Sequence, residues 1–364
     1  MAADALTGPR SIDASNARVL RRPTVTLPAA SLAAATLLVA ACAAAPPDHP
    51  APPPAATAAP PASPRPTVEV AVTVDDLPSH GPLAPGVDRV AVAARMLEAF
   101  AKHRLPPVYG FVNGKKVDDD PALEAVLQRW LAAGNPLGNH SYSHPSLNRT
   151  ALPEYLADIE KGEAILKRLA PGPAVWRLFR YPFLFEGDTV EKREGVRGYL
   201  RTRGYVAAHV SIDADDWAFN APFARCAERA DAPALAALRA DYVTAHVEEL
   251  RRMRALGHAL VQRELRHVLL LHVGVADADA ADALLTAYER EGVRWIELHA
   301  ALSDPIYAMD GGPPVRYGAA FPYRAARSRG VSAPPPIFAR GLEERLDRVC
   351  RDPERARRAS GHDR

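Results

Sequence analysis

The sequence predicts a parallel α/β fold: a distorted (β/α) barrel of about seven strands, with a helical insertion before the sixth strand and an irregular C-terminal tail. Three observations carry this expectation. Strand and helix patterns alternate from Val68 to Ile296. The strand segments are apolar runs, not polar–apolar alternations, as expected where helices cover both faces of a sheet. The polar residues with chemical potential fall where strands end, on the face where parallel barrels gather their functional groups.

The elements follow in order. Val68 to Val74 is β-branched and apolar, a first strand running directly into Asp75-Asp76. Val87 to His103 places Val90, Met96, Leu97 and Phe100 at helical spacing. Residues 107–112 read as the second strand, and Pro121 to Ala132 as a helix with Asp118 to Asp120 at its N-terminus. A short strand at 136–138 leads into His140-Ser141-Tyr142-Ser143-His144; a helix at 153–169 and a strand at 175–180 follow. Helix 190–203 precedes strand 205–212, which leads into Asp213. The insertion is the long helix from Pro233 to Leu256, with proline suiting its first turn. Strand 267–272, helix 277–291 and strand 293–296 close the pattern. From Ser303 onward Pro, Gly and Arg dominate, with one short helix expected at 342–350.

The charge balance excludes one class of function. The 364 residues carry a formal net charge of +2, and removing residues 1–41 removes four Arg and two Asp, leaving equal numbers of both signs. Bulk charge therefore offers nothing to nucleic acid. Residues 1–42 read as an export signal: Arg21-Arg22 form the positive flank, Leu27 to Ala41 the apolar run, and Val39-Ala40-Ala41-Cys42 a lipobox-like end. This predicts a lipoprotein anchored to a membrane through Cys42 and facing the periplasm or the cell exterior. Residues 43–66 are almost all Ala and Pro, a semi-stiff tether. The domain is expected at 67–302, with 303–364 wrapping it as a tail. Cys226 and Cys350 remain as an even pair in an oxidising compartment. A disulfide between them would pin the tail to the middle of the domain, and sequence alone leaves that pairing open.

His140 and His144 stand one helical turn apart, so both imidazoles can reach one cation; with a carboxylate from Asp75-Asp76 they form a two-His-one-carboxylate set with open positions. Adjacent strand-end side chains diverge, so one aspartate can serve the cation while its neighbour faces the substrate water. Alone, each piece has a plainer explanation: solvated histidines, a helix cap, a surface ion pair at Arg180, or a core histidine at His272. Their common position at strand ends argues for one site. The other histidines, His80 included, are expected to be structural or solvated; lying four residues past Asp76, His80 is within reach of the cleft but is not expected to be a ligand. Asn113-Gly114-Lys115-Lys116 is expected to be a solvated turn.

Together these segments resemble the polysaccharide deacetylases, the NodB-homology group of carbohydrate esterase family four. The five motifs are Thr73-Val74-Asp75-Asp76-Leu77-Pro78, His140 to His144, Arg180-Tyr181-Pro182-Phe183, Asp213-Ala214-Asp215-Asp216-Trp217 and Leu270-Leu271-His272, in the family's order. The first departs from it, with Leu77 in place of the usual Gly and Val74 in place of an aromatic. The resemblance implies that Asp76, His140 and His144 hold a divalent metal, usually zinc. It makes Asp75 the base, with Arg180 pairing with and tuning it, and His272 the acid, oriented by Asp213. The backbone N–H of Phe183 would stabilise the oxyanion, with Tyr181 and Trp217 beside the substrate. Asp75 is expected to stay ionised beside Arg180. The implied substrate is an N-acetylated envelope or extracellular glycan. An O-acetyl esterase, a small-amide amidase whose inserted helix covers the cleft, and a non-catalytic glycan-binding relative are the alternatives.

Overall fold

Strand β1 (Val68–Leu77) is the axis of the computed structural model, which describes residues 67–173, 175–333 and 341–351. The chain divides into two units, Met1–Pro61 and Ala62–Arg364, and every described residue belongs to the second. The export signal, Cys42 and the whole tether lie outside the described residues. Among those described, no helix is long and apolar enough to cross a membrane.

Seven strands are all parallel: β1, β2 (Tyr109–Val112), β3 (Leu137–Asn139), β4 (Leu178–Phe179), β5 (Val206–Ala207), β6 (Arg266–His272) and β7 (Val293–Trp295). Their order is β5-β4-β3-β2-β1-β6, with β7 pairing the first residues of β1. Beyond β5 the chain stays extended. Ala208 N–H donates to Phe179 O at 2.8 Å, Ser211 and Ile212 N–H to Val268 O at 3.0 Å, and Leu270 N–H to Ile212 O at 3.0 Å. One segment thus bonds β4 at its start and β6 at its end, drawing the two sheet edges together. The expected distorted barrel is present.

Alternation along β1 sorts its side chains. Val70, Val72 and Val74 join the outer core beneath the helices, whereas Ala71 packs inward with Tyr109, Phe111, Leu178 and Ala208. The helices are α1 (Arg89–Lys102), α2 (Gly114–Asp119), α3 (Glu124–Ala132), α4 (Leu152–Leu169), α5 (Val190–Thr202), α6 (Asn220–Glu228), α7 (Ala232–Val261), α8 (Val275–Arg290), α9 (Leu298–Leu302), α10 (Phe321–Ser328) and α11 (Leu342–Arg348). The inserted helix is α7. Its start is fixed by Asp231, whose side chain accepts from Ala234 N–H, and Leu238, Tyr242, Ala245, Glu249, Leu250, Met253 and Leu256 form its buried face. At helical spacing these residues turn one stripe toward the body.

The tail is more regular than its composition suggests. Besides α11, it supplies α10 and a 3₁₀ turn at Pro305–Ala308, and Ile306, Tyr307, Phe321 and Ala325 enter the inner core. A disulfide between Cys226 and Cys350 ties α6 to the residues just after α11.

A buried ion cluster also fastens the tail. Glu186 receives Arg324 of α10 at 2.8 Å, His209 at 3.1 Å and Arg197 at 3.4 Å. Burial opposes its ionisation, but His209 and Arg324 hold the carboxyl well below the ordinary Glu range. A depressed folded-state pKa gives stability that is complete above the unfolded-state pKa and lost as pH falls toward the folded one. Glu186→Gln should therefore cost about 3 kcal/mol at neutral pH, because it leaves buried cations unpaired. That deficit should shrink as pH drops below the ordinary Glu range, as read by urea denaturation of both proteins at pH 7 and pH 3.

Candidate active site

The C-terminal ends of β1, β3 and β6, with the loops that follow them and β4, surround a cavity of about 470 Å³. Asp75, Asp76, His140, His144, Phe183, Asp213, Trp217 and His272, all singled out from the sequence, line it. Arg180 lies just beneath, fully buried and bonded to Asp75.

Asp75 continues the inward alternation of β1. Arg180 Nη1 donates to its two oxygens at 3.0 and 3.2 Å, Nη2 donates to Thr73 Oγ1 at 3.1 Å, and Nε donates to Ala208 O at 2.6 Å. The expectation that Asp75 keeps a low pKa is corrected. Burial outweighs the guanidinium and pushes the carboxyl up to about 6.

Asp76 should face outward by strict alternation, toward the helices. Instead the β1–β2 register shifts between Val74 and Leu77, and Asp76 takes φ 67°. This irregularity re-aims its carboxylate into the cavity. Oδ1 lies 3.5 Å from His144 Nε2 and 3.8 Å from His140 Nε2. His140 is held by its other nitrogen, with Nδ1 donating to Arg180 O at 2.8 Å. His144 also adopts a left-handed backbone, φ 59°. Of the ten non-glycine residues with positive φ among those described, Asp76, Ser141, His144, Phe183, Leu184 and Asp215 lie in these site segments. Such conformations cost about 1–3 kcal/mol each and persist only where the surroundings impose them.

This trio fits a divalent cation. Asp76 Oδ1 is buried with no hydrogen-bond partner, facing the two histidines and the Lys116 ammonium at 3.3 Å. Burial opposes its ionisation, yet Lys116, His80 and the two histidines hold Asp76 well below the usual carboxylate range. Burial pushes His140 and His144 down, favouring the neutral form that ligates metals. The structure contains no ion.

On β6, where it is the register partner of Asp75, His272 Nδ1 donates to Asp216 Oδ1 at 2.8 Å, and its backbone N–H donates to Asp216 Oδ2 at 2.6 Å. This corrects the choice of orienting residue: the partner of His272 is Asp216, where Asp213 was expected. The motif holds three carboxylates within four residues, and Asp213 instead accepts the Asp215 N–H at 3.1 Å, closing a turn that carries Asp216 onward to His272. Burial raises Asp213; burial and the charge of Asp213 push Asp215 up to about 7. Burial takes Asp216 to about 7, and burial with the charge of Asp216 takes its hydrogen-bond partner Asp277 to about 8.

Of the three residues expected beside the substrate, two reach the cavity. Phe183 is half exposed with its ring 4.4 Å from His144, and Trp217, 50% exposed, donates from Nε1 to Asp215 at 3.2 Å. Tyr181 does not. Its ring is buried at 5.0 Å from Phe179, and it borders a separate cavity of about 520 Å³ between α5 and the tail. Sequence reasoning also underrated two neighbours. His80 Nδ1 is 2.7 Å from Asp76 Oδ2 and its ring 4.6 Å from His272, so Asp76, His80 and His272 form a second ligand-like triplet. Lys116 is on α2, not a solvated turn, and donates to the carbonyls of Asp76 and Ser79 at 3.1 and 2.9 Å. The four-residue spacing of Asp76 and His80 was the one available signal. The inserted helix α7 contributes nothing to the cavity wall, so it is not a cover. Gly318 of the tail does line it, and a side chain there would collide with Phe183 O.

Removing Arg180 should be severe. Arg180→Leu strands Asp75 as a buried unpaired acid and should cost about 3–5 kcal/mol in chemical denaturation. A loss below about 1 kcal/mol would mean the pair carries no structural weight.

A family model described as polysaccharide deacetylase matches residues 62–199. Among curated proteins, the chain is 28% identical over 156 residues to a peptidoglycan-N-acetylglucosamine deacetylase of Bacillus cereus, covering 43% of this chain and 49% of that one. It is 28% identical over 124 residues to a chitooligosaccharide deacetylase of Bradyrhizobium sp., covering 34% and 51%. It is 31% identical over 101 residues to a peptidoglycan-N-acetylmuramic acid deacetylase of Bacillus subtilis, covering 28% and 19%. The chain thus spans about half the length of the first two relatives.

Proposed function

We propose, from the premise that this chain belongs to the polysaccharide deacetylases, that it is a cation-dependent hydrolase removing N-acetyl groups from an envelope or extracellular glycan. One observation carries the reading: an aspartate–arginine pair and a two-His-one-carboxylate set share a cavity with a carboxylate-anchored histidine on the neighbouring strand β6. Amide hydrolysis needs a base for water, an electrophile for the oxyanion and an acid for a poor leaving amine.

The roles follow from position. Asp75 accepts the proton of the attacking water, and its raised pKa makes it a better acceptor than an ordinary aspartate. Arg180 holds that carboxylate in place. His272 turns Nε2 toward the cavity and donates its proton to the departing nitrogen, while Asp216 fixes the Nδ1–H tautomer. The N–H of Phe183 is assigned to the developing oxyanion and Trp217 to the substrate wall. Asp213 supports the turn bearing Asp216. Asp76, His140 and His144 would hold the cation, zinc by the nature of the donors, with His80 steadying Asp76. When bound, that cation supplies Lewis acidity toward the acetyl oxygen and acidifies water. The relatives' printed names support a glycan bearing N-acetylglucosamine or N-acetylmuramic acid. Export, with lipid attachment at Cys42, places the enzyme at the membrane facing outward. The cavity lies open to half-exposed Phe183 and Trp217, which favours a chain-like substrate over a small amide.

Asp75→Asn should keep the cation and lose at least about 10²-fold in kcat, whereas His140→Ala should lose cation and turnover together. Metal analysis of the purified domain and acetate release from acetylated chito-oligosaccharides and peptidoglycan check both. Wild-type rates from Asp75→Asn would remove Asp75 as the base.

A further inference from the structure

Behind His272, away from the cavity, a buried polar chain continues from Asp216 into residues that the reaction described above does not use. Asp216 and Asp277 are 0% and 1% exposed and hydrogen-bonded to each other. Asp277 sits in the first turn of α8. One of its oxygens accepts from Tyr242 Oη at 2.8 Å, the other from Asn220 Nδ2 at 3.0 Å. Asn220 is itself fixed, with Oδ1 accepting the Ala276 N–H at 2.9 Å and its amide packed where a side chain on Gly274 would stand. Tyr242 comes from the inserted helix α7 and is 1% exposed.

Two touching carboxyls in a dry site cannot both ionise, so the pair holds one proton. Both oxygens of Asp277 already accept hydrogen bonds, and Asp216 already faces the imidazole N–H and the backbone N–H of His272. The arrangement closes when Asp277 is the neutral acid, donating to Asp216, and Asp216 is the anion facing His272. A tilt of Asp216 would turn the imidazole with it, because both of its oxygens grip that one residue.

We propose that Asp277 is a positioning residue: clamped by Tyr242 and Asn220, it acts as a neutral hydrogen-bond donor that fixes the Asp216 carboxylate and thereby the ring orientation of His272. The inserted helix then buttresses the acid from behind, through Tyr242. This rests on the assignment of His272 as the acid that protonates the leaving amine.

The test compares Asp277→Asn, Asp277→Ala and Tyr242→Phe in the cation-loaded protein, on two acetyl donors. An N-acetylated chito-oligosaccharide needs its leaving nitrogen protonated; 4-nitrophenyl acetate does not, because its phenolate leaves unaided. Asp277→Ala should lower kcat on the amide by roughly tenfold or more with KM unchanged, while staying within about threefold of wild type on the aryl ester. Asp277→Asn, whose carbonyl can accept from Asn220 while its NH2 donates to Asp216 and to the Tyr242 oxygen, should stay within about threefold on both, and Tyr242→Phe should fall between the two. Equal losses of Asp277→Ala on both substrates, or an Asn variant as impaired as Ala, would overturn the proposal. A second readout needs no turnover: the low-field His272 Nδ1 proton, in NMR with labelled histidine, should be present in wild type and Asp277→Asn and absent in Asp277→Ala. Its persistence in the Ala variant also overturns the proposal. If the wild type releases acetate from neither donor, the deacetylase reading falls, and the proton resonance alone decides whether Asp277 fixes His272.

Discussion

Arg180 is the residue on which the rest of the architecture depends. Its guanidinium bonds Asp75 and Thr73 on β1 and the carbonyl of Ala208 just past β5; its backbone N–H bonds Asn139 O on β3, and its carbonyl receives His140. Four segments of a partly closed barrel therefore meet on one residue in the dry interior. A buried cation costs several kcal/mol to desolvate and persists only where its donors are matched. That requirement keeps Asp75 and His140 close, 3.7 Å between Oδ2 and Nε2, since both hang from the same residue.

The two halves of the site are built by different means. Asp75, Asp76, His140, His144 and Arg180 fall within the matched segment 62–199 and are joined through short strands and their bonded loops. His272 and Asp216 lie beyond it, with Asp216 on a turn stiffened by Asp213 and supported by α6, α7 and α8. The His272 side thus leans on a helical layer while the Asp75 side leans on the barrel wall.

How far the sequence disclosed this differs by residue. The succession of strands and helices could be anticipated because apolar runs and helix stripes carry periodicity, and the ends of those runs delivered Asp75, His140, Arg180 and His272 to one face. The insertion was visible as a helix, but not as a support, since nothing in one helix pattern says what its buried Tyr242 will touch. Asp216 was hidden among three nearby carboxylates, whose roles depend on a turn that only three-dimensional contact defines. His80 was discounted because a residue in a loop after a strand has no periodicity to aim it. Tyr181, one residue from Arg180, points the other way, so adjacency in a motif did not mean adjacency in space. The tail read as irregular because Pro and Gly masked α10, whose Phe321 and Ala325 fill the inner core.

The left-handed backbone at Asp76 and His144 has a consequence for how such a chain can change. At these two positions glycine would relax the main chain, and glycine is the residue that removes the side chain facing the cavity. Substitutions that make the fold sturdier and substitutions that keep it useful are therefore in direct opposition at the centre of the site. Lineages adapting to heat must find their gains at a distance, in the outer helices, the Glu186 cluster or the disulfide, while the β1–β2 irregularity stays as it is.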